Sequence, residues 1–323
     1  MSQSKSTAIH REWLSAAGPL NIPMTNDYLF RAILQRNNRV LKGLICSLLH
    51  LDKDAVDSVI INNPIILGES INDKTFFLDI SITLNNHTLI NLEMQVINEH
   101  NWPERSLSYL CRTFDNLNSG DEYSSVKPAI QIGLLNFTLF PEYPEFYSTY
   151  QFLNAKNYTK YSDKLRLCVL NLTRIDLADE EDKRYHLDLW ASLFKAVTWE
   201  ELKMISKQDE LINEASATAF QLSQEEMIRL QCQAREDYYR RQRSVQHMLD
   251  TQENTIKNQE QMINGQKEII NNQEEMINNQ KETIKKQNTD IEKDKMTIQN
   301  LTDENTLLQK QLADALEQLK KNK

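Results

Sequence analysis

The sequence predicts an α/β core, a central mixed sheet flanked by helices, followed by a helical region and a long C-terminal coiled coil. Apolar strand-like runs recur between residues 57 and 173, and helical patterns precede, interrupt and follow them. From Gln252 onward the chain consists of consecutive seven-residue repeats, the pattern of a coiled coil. A chain of 323 residues, 40% of them apolar, is long enough for one or two globular domains with a buried core.

Local signals predict the order of the elements. Residues 1–23 are polar, contain Gly18-Pro19 and predict a flexible lead-in. Thr25-Asn26-Asp27 predicts the N-terminal cap of a first helix, and Ser223 with Glu226 predicts a capping box for a later one. The other predicted elements are a helix at 37–50, strands near 57–67, 75–84 and 88–97, a helix at 103–119, strands at 128–140 and 164–173, and helices from about 185 onward.

Two of the predicted strands carry polar residues inside apolar runs. Asp79 interrupts the first run, and Glu93 and Gln95 interrupt the second. The turn between them, Asn85-Asn86-His87, predicts a hairpin. Pairing about Asn86 sets Asp79 opposite Glu93, and because side chains alternate along a strand, Gln95 shares their face. Two carboxylates where a sheet normally buries hydrocarbon need a partner, and a hard divalent cation is the obvious candidate.

This order of elements describes a restriction-endonuclease-like core. Asp79 and Glu93 on adjacent strands could hold Mg²⁺, with Mn²⁺ or Ca²⁺ as alternatives, and Mg²⁺ favours oxygen ligands. A cation so held lowers the pKa of a bound water and screens the charge growing on a scissile phosphate. The third position of the motif is usually lysine in this fold, but here it is Gln95, which can orient water without adding positive charge. The competing interpretation is a buried ion pair of these carboxylates with Arg105 or Arg112.

An ordered series of motifs resembles one known family, the Rpn recombination-promoting nucleases and putative transposases, a branch of the PD-(D/E)XK superfamily. The resemblance covers roughly residues 24–245, and the Gln/Ile repeat lies outside it. No single motif is specific, but their order is. The matching segments are 25–31 (TNDYLFR), 77–80 (FLDI), 91–95 (NLEMQ), 104–110 (ERSLSYL), 120–123 (GDEY), 127–132 (KPAIQI), 147–150 (YSTY), 163–165 (DKL) and 190–194 (WASLF).

The resemblance implies a metal-dependent DNA endonuclease of low sequence specificity, linked to recombination or mobile DNA. By motif match, Asp79 and Glu93 would be metal ligands and Gln95 the third active-site residue. Asp27 matches the acid of the family's first helix, so we expect it either to join the catalytic residues or only to cap that helix.

DNA binding needs cations near these carboxylates. The candidates on the core helices are Arg31, Arg36, Arg39, Lys42, Arg105 and Arg112. A second cluster follows near residue 240, where tyrosines accompany the basic residues. Its members are Arg235, Tyr238, Tyr239, Arg240, Arg241 and Arg243. Either cluster could equally be a solvated helix face.

The repeat in the tail predicts self-association. Isoleucine recurs every seven residues from Ile256 to Ile298, which are a positions, while glutamine occupies d positions from Gln259 to Gln287. A strict period of seven implies a left-handed supercoil. Glutamine at the d positions weakens the interface between the helices, and the pattern is compatible with either a dimer or a trimer. The alternative interpretation is a solvated single helix.

Composition narrows the class of protein. The net charge of −9 argues against nonspecific coating of nucleic acid by the whole surface, although a local basic groove remains compatible with it. The four cysteines are widely spaced and lack a CxxC pair, which predicts a reduced, cytoplasmic protein without structural zinc. We find no apolar leader near the N-terminus and no apolar run long enough to span a bilayer, so no membrane partner is expected.

The leading hypothesis is therefore a DNA endonuclease that self-associates through its tail. It divides the chain into a lead-in (1–23), a nuclease-like domain (24–185), a helical extension (186–248) and a coiled coil (249–320). A second hypothesis is a catalytically weak or inactive scaffold that acts as a coiled-coil interaction protein. A third is DNA binding without cleavage, within a transposition apparatus.

Overall fold

The described part of the chain, residues 12–65, 67 and 79–321 of a computed structural model, forms a mixed sheet of six strands with helices on both faces. The order across the sheet is β1-β2-β3-β4-β6-β5. β3, β4 and β6 run parallel, and the other neighbours are antiparallel. The strands are β1 (Val59–Ile61), β2 (Ile80–Leu84), β3 (Thr88–Gln95), β4 (Ala129–Leu135), β5 (Tyr147–Tyr150) and β6 (Leu165–Asn171).

The helices surround this sheet and continue to the end of the described chain. They are α1 (Asp27–Arg36), α2 (Asn38–Leu49), α3 (Trp102–Phe114), α4 (Glu180–Arg184), α5 (Leu187–Lys195), α6 (Trp199–Ser206), α7 (Glu210–Gln224) and α8 (Glu226–Lys321). The prediction of a mixed sheet flanked by helices is confirmed, and the topology is consistent with a restriction-endonuclease-like core.

The β2–β3 hairpin has the predicted register. Ser81 pairs with Asn91 and Leu84 with Thr88, so the turn is centred on Asn86. Asn85 and Asn86 have φ of 50° and 57°, the left-handed conformation that a tight hairpin turn requires and that asparagine tolerates. Of the strand predicted at 75–84, residues 75–78 lie outside the described residues.

The two faces of the sheet are covered unequally. One face packs on the large apolar cluster that contains helices α1, α2, α5, α6 and α7. The other face carries a smaller cluster, in which Trp102 and Leu110 of α3 pack against β4 and β6. The predicted active-site carboxylates belong to this second face.

Two sequence predictions about helix ends are wrong. The helix predicted to run to residue 119 ends at Phe114, because the side-chain amide of Asn116 donates to the carbonyls of Thr113 and Phe114. The predicted capping box at Ser223 is absent, because Ser223 lies in the last turn of α7 and donates to the carbonyl of Phe220.

The last helix extends from the folded core into the heptad region. The chain divides into two compact units, Met1–Val245 and Gln246–Lys323, with the division inside α8. Ile228 and Cys232 of α8 are buried in the large cluster, whereas the isoleucines of the repeat are about half exposed. No helix among the described residues is apolar over a length that would cross a membrane.

Candidate active site

The hairpin brings the predicted acidic residues together. Asp79 directly precedes β2, and the register that pairs Ile80 with Leu92 places it opposite Glu93 of β3. Directly opposed residues of an antiparallel pair share a face, so both carboxylates lie on the side of the sheet covered by α3. Gln95 follows two residues later on that face, at the end of β3, where its amide donates to the carbonyl of Ile97 at 3.2 Å.

Glu93 is buried with only half of its hydrogen-bonding capacity used. Its side chain is 6% exposed, and its Oε1 accepts from Nη2 of Arg105 at 2.5 Å. Its Oε2 is also buried, and no group in the described ranges hydrogen-bonds to it. The ion pair with Arg105 expected as the competing interpretation does form. It leaves the other carboxylate oxygen without a partner in the part of the chain that the structure describes, an unusual and costly condition for a buried carboxylate.

Burial makes both carboxylates poor anions in the absence of a cation. The pKa of Glu93 is raised to about 7, chiefly by loss of hydration; Arg105 opposes this rise, and the charges of Asp79 and Asp27 add to it. Burial also raises the pKa of Asp79, with Arg31 and Arg105 opposing. Two adjacent carboxylates with an unused buried oxygen therefore fit a hard divalent cation. Groups of three or more His, Cys, Asp or Glu arranged for a metal do not occur among the residues described.

Trp102 of α3 packs tightly against the strand beside Glu93. Gly133 of β4 pairs with Glu93 in the parallel ladder. A Cβ atom on Gly133 would lie 2.1 Å from Cζ2 of Trp102, so the indole occupies the space that any other side chain would need. This contact was not among the sequence predictions, although a lone glycine inside an apolar strand is a recognised sign of close approach.

Comparison with known proteins decides the family. The model of the PD-(D/E)XK nuclease family transposases matches residues 24–250, more than two thirds of the chain. The chain belongs to this family. The family indicates a nuclease linked to mobile DNA, and it confirms the resemblance seen in the sequence. No curated protein and no solved structure shows significant similarity to the chain.

Within the part matched by this nuclease family, the acid of the first helix has an unexpected partner. Asp27 is not the helix cap, because the side chain of Asn26 takes that place by accepting from the amide of Leu29 at 3.1 Å. Asp27 instead forms a two-pronged pair with Arg235 of α8, with 3.0 Å between Arg235 Nε and Asp27 Oδ1. Both side chains are 7% exposed.

This pair places the start of α8 close to the carboxylates. Asp27 is near enough for its charge to influence Glu93. Asn26 adds two bonds to the same helix, to the carbonyl of Cys232 at 3.0 Å and to the carboxylate of Glu236 at 2.9 Å. Arg235 is one of the DNA contacts that the sequence predicts, but its burial against Asp27 places it in the interior instead.

The three arginines predicted near the site lie in different environments. Arg31 is 1% exposed and donates to the carbonyls of Asp79 and Asn63, so its guanidinium presents no surface to a phosphate.

Arg105 pairs with Glu93, and exposed Arg112 follows two turns later on α3. The guanidinium carbons of Arg105 and Arg112 lie 5.6 and 5.9 Å from the ring centroid of Tyr109. Arg105, Tyr109 and Arg112 therefore form a line along one helix face.

Proposed function

We propose that this protein is a Mg²⁺-dependent DNA endonuclease of low sequence specificity that acts in recombination or on mobile DNA in the cytoplasm. The observation that supports it is the buried carboxylate of Glu93 opposite Asp79, with one oxygen that no described residue hydrogen-bonds, in a chain of the PD-(D/E)XK nuclease family. Burying this group without a ligand costs stability, so its position is explained by the cation that it would bind.

In this proposal Asp79 and Glu93 hold the cation, with Mn²⁺ or Ca²⁺ as alternatives to Mg²⁺. When bound, the cation supplies a water of lowered pKa and positive charge for the scissile phosphate. Gln95 accepts and donates hydrogen bonds without a charge, and we assign it to orienting that water. Arg105 opposes the effect of burial on the pKa of Glu93 and holds its carboxylate in place. Asp27 acts indirectly, through its charge and through its pair with Arg235.

DNA would approach along α3, where Arg105 and Arg112 flank Tyr109. Arg112 is exposed and can meet a phosphate directly. Contacts to the phosphate backbone carry no base information, which agrees with low sequence specificity.

The test is cleavage of supercoiled plasmid by the purified full chain with Mg²⁺, Mn²⁺, Ca²⁺ or EDTA, beside the variants Asp79→Ala and Glu93→Gln. We expect nicking or linearisation that needs the cation and disappears in both variants. Asp54→Ala, which removes an exposed acid of the same core, is the matched control and should cut like the wild type.

Retained cleavage by Asp79→Ala would contradict the site. No cleavage with any cation by a folded wild-type chain would contradict the enzymatic proposal.

We further propose that residues 249–320 join two or three copies through the isoleucine stripe. Cutting both strands of a duplex generally needs two active sites, and self-association would supply the second one. Residues 24–185 would carry the catalytic residues, and residues 186–248 would support that domain. The half-exposed stripe also favours the alternative function, an inactive nuclease scaffold that acts as a coiled-coil interaction protein. DNA binding without cleavage is the third hypothesis, and plasmid cleavage separates both alternatives from the enzyme.

A further inference from the structure

A small, well-defined hairpin lies beyond the edge strand β5. It comprises residues 152–161 and is called here the aromatic hairpin. Leu153 and Lys160 form an antiparallel bridge, and the amide of Tyr161 donates to the carbonyl of Phe152 at 2.9 Å. Across its turn the amide of Tyr158 donates to the carbonyl of Asn154 at 2.8 Å. These backbone bonds hold the two arms of the hairpin together and fix the position of its turn.

The hairpin presents aromatic rings to solvent. Tyr158 is 76% exposed, Tyr161 89% and Phe152 52%. Tyr158 also has φ of 58°, in the left-handed region that an aromatic residue rarely adopts. Tyr158 is thus an exposed ring held in an unfavourable backbone conformation, a local strain that is typical of functional sites.

The charge of the hairpin is opposite to that of the whole chain. Between residues 150 and 166 there are four basic residues and one acidic residue, a net of +3, in a chain of net charge −9. Lys156 and Lys160 are exposed on the hairpin itself. Lys164 is occupied, because its ammonium donates to the carbonyls of Ser124 and Val126. Two lysines therefore alternate with two tyrosines on one exposed turn.

The base of the hairpin borders the helix that carries Arg105. Phe152 lines a cavity of about 260 Å³ together with Trp102 and Ser106 of α3. Arg105 and Arg112 lie on the neighbouring face of α3 and do not line the cavity, so a strand bound by them would pass around the helix to reach the hairpin. Both segments would then contact the same ligand.

We propose that the aromatic hairpin binds an unpaired stretch of the DNA substrate. Tyr158 and Tyr161 stack on exposed bases, while Lys156 and Lys160 contact the phosphates between them. Aromatic rings alternating with cations are the common means of binding single strands, because every base offers a face for stacking. A protein partner fits less well, since lysine is depleted at the centres of protein interfaces. The inference rests on the proposed function for its ligand and extends it to a substrate class.

The test is fluorescence anisotropy of labelled single-stranded and duplex DNA with the full chain in EDTA, which separates binding from cleavage. Tyr158→Ala/Tyr161→Ala should weaken single-strand binding at least about tenfold. Tyr158→Phe/Tyr161→Phe keeps both rings and should bind like the wild type. Lys156→Ala/Lys160→Ala should reduce the slope of log affinity against log salt by about 2. The matched control is Lys53→Ala/Lys207→Ala, which removes two exposed lysines elsewhere and should change neither quantity.

Equal single-strand binding by the alanine and phenylalanine variants would overturn the proposal and leave the nuclease proposal intact. Equal losses on duplex and single strand would overturn the assignment to unpaired DNA. A wild-type chain that binds no DNA in EDTA yet cuts plasmid with Mg²⁺ would overturn the hairpin proposal alone. A change of sedimentation coefficient in the tyrosine variants would mark the hairpin as a contact between copies and overturn it as well.

Discussion

The carboxylate of Glu93 should make the protein less stable as pH rises when no divalent cation is present. Its pKa is about 7 in the folded chain against 4.5 as the ordinary value. The folded state therefore binds more protons between these two values. Its contribution to the free energy of unfolding is fully present below about pH 4.5 and is lost as pH rises through 7. The contribution is on the order of a few kcal/mol.

The measurement is urea unfolding in EDTA from pH 5 to 8, followed by tryptophan fluorescence. All four tryptophans are buried in the core, at positions 13, 102, 190 and 199, so the signal reports the core and not the heptad helix. Glu93→Gln should flatten the pH dependence, because the amide cannot ionise. If the free energies of unfolding of the wild type and of Glu93→Gln differ by the same amount at every pH, the raised pKa of Glu93 is contradicted.

Asp27 and Arg235 should depend on each other for stability. Arg235→Met leaves the carboxylate of Asp27 buried without its partner, and loss of one member of a buried pair costs about 3–5 kcal/mol. Asp27→Asn/Arg235→Met should recover much of that loss, because no unpaired charge remains. Arg36→Met is the matched control. It breaks the exposed pair with Glu225, 3.0 Å apart, and should cost at most about 1 kcal/mol.

Urea unfolding of these four proteins and of Asp27→Asn alone, followed by tryptophan fluorescence, measures these differences. Additive effects of the two core substitutions would show that the pair is not coupled.

At the scale of single residues, the sequence could predict only those contacts whose two residues lie close together in the chain. Asp79 and Glu93 are linked by a short hairpin, so alternation and one turn were enough to bring them together. Asp27 and Arg235 are 208 residues apart, and no local pattern relates them. The cap was assigned too broadly because Asn26 and Asp27 are adjacent and both residue types can cap a helix.

At the scale of elements, the contact between β4 and α3 should tolerate no added side chain. Gly133→Ala would place a methyl 2.1 Å from the Trp102 ring, which is held in the core and cannot move freely. Such overpacking costs about 1–3 kcal/mol or more. Trp102→Leu in the same chain should relieve part of the loss by making room for the methyl.

Thermal unfolding and plasmid cleavage of Gly133→Ala test this contact together. We expect a lower melting temperature because the indole must move. We also expect weaker cleavage, because moving the indole would let water reach Glu93. The matched control is Gly265→Ala in the heptad helix, where a Cβ meets nothing within 4 Å and alanine favours helix. An unchanged melting temperature for Gly133→Ala would show that the indole moves at little cost.

The elements themselves were predictable to different degrees. The β2–β3 hairpin followed from alternation and from asparagines suited to positive φ. Strand β5, only four residues long and at the sheet edge, was not predicted, because an exposed edge strand leaves little hydrophobic pattern. The order β3-β4-β6 was also out of reach, since parallel strands are joined by crossovers whose placement depends on the whole sheet.

For the whole molecule, the large apolar cluster joins the sheet to helices beyond residue 186. Trp190, Leu202 and Ile212 are buried in the same cluster as Ile132 of β4. Sequence periodicity identified these helices but not the surface that they cover, because an amphipathic pattern shows that a face is buried and not against what. The division at residue 185 remains a prediction about function.

The heptad segment leads to the last prediction, that the full chain self-associates through its isoleucine stripe. Ile270 is 52% exposed and Ile277 48%, at successive a positions of the repeat. A seam that alternates isoleucine with glutamine gains little per turn, so removing two isoleucine layers should be enough to dissociate it. Sedimentation equilibrium should give a dimer or trimer for the wild type and a lower mass for Ile270→Asn/Ile277→Asn. Asn271→Ser/Asn278→Ser alters the neighbouring outward b positions and should leave the mass unchanged. If nuclease cores must be paired to cut both strands, the dissociated variant should still nick plasmid but linearise it more slowly. A monomeric wild type would contradict self-association through the tail. Equally fast linearisation by the wild type and by Ile270→Asn/Ile277→Asn would show that cleavage of both strands does not depend on it.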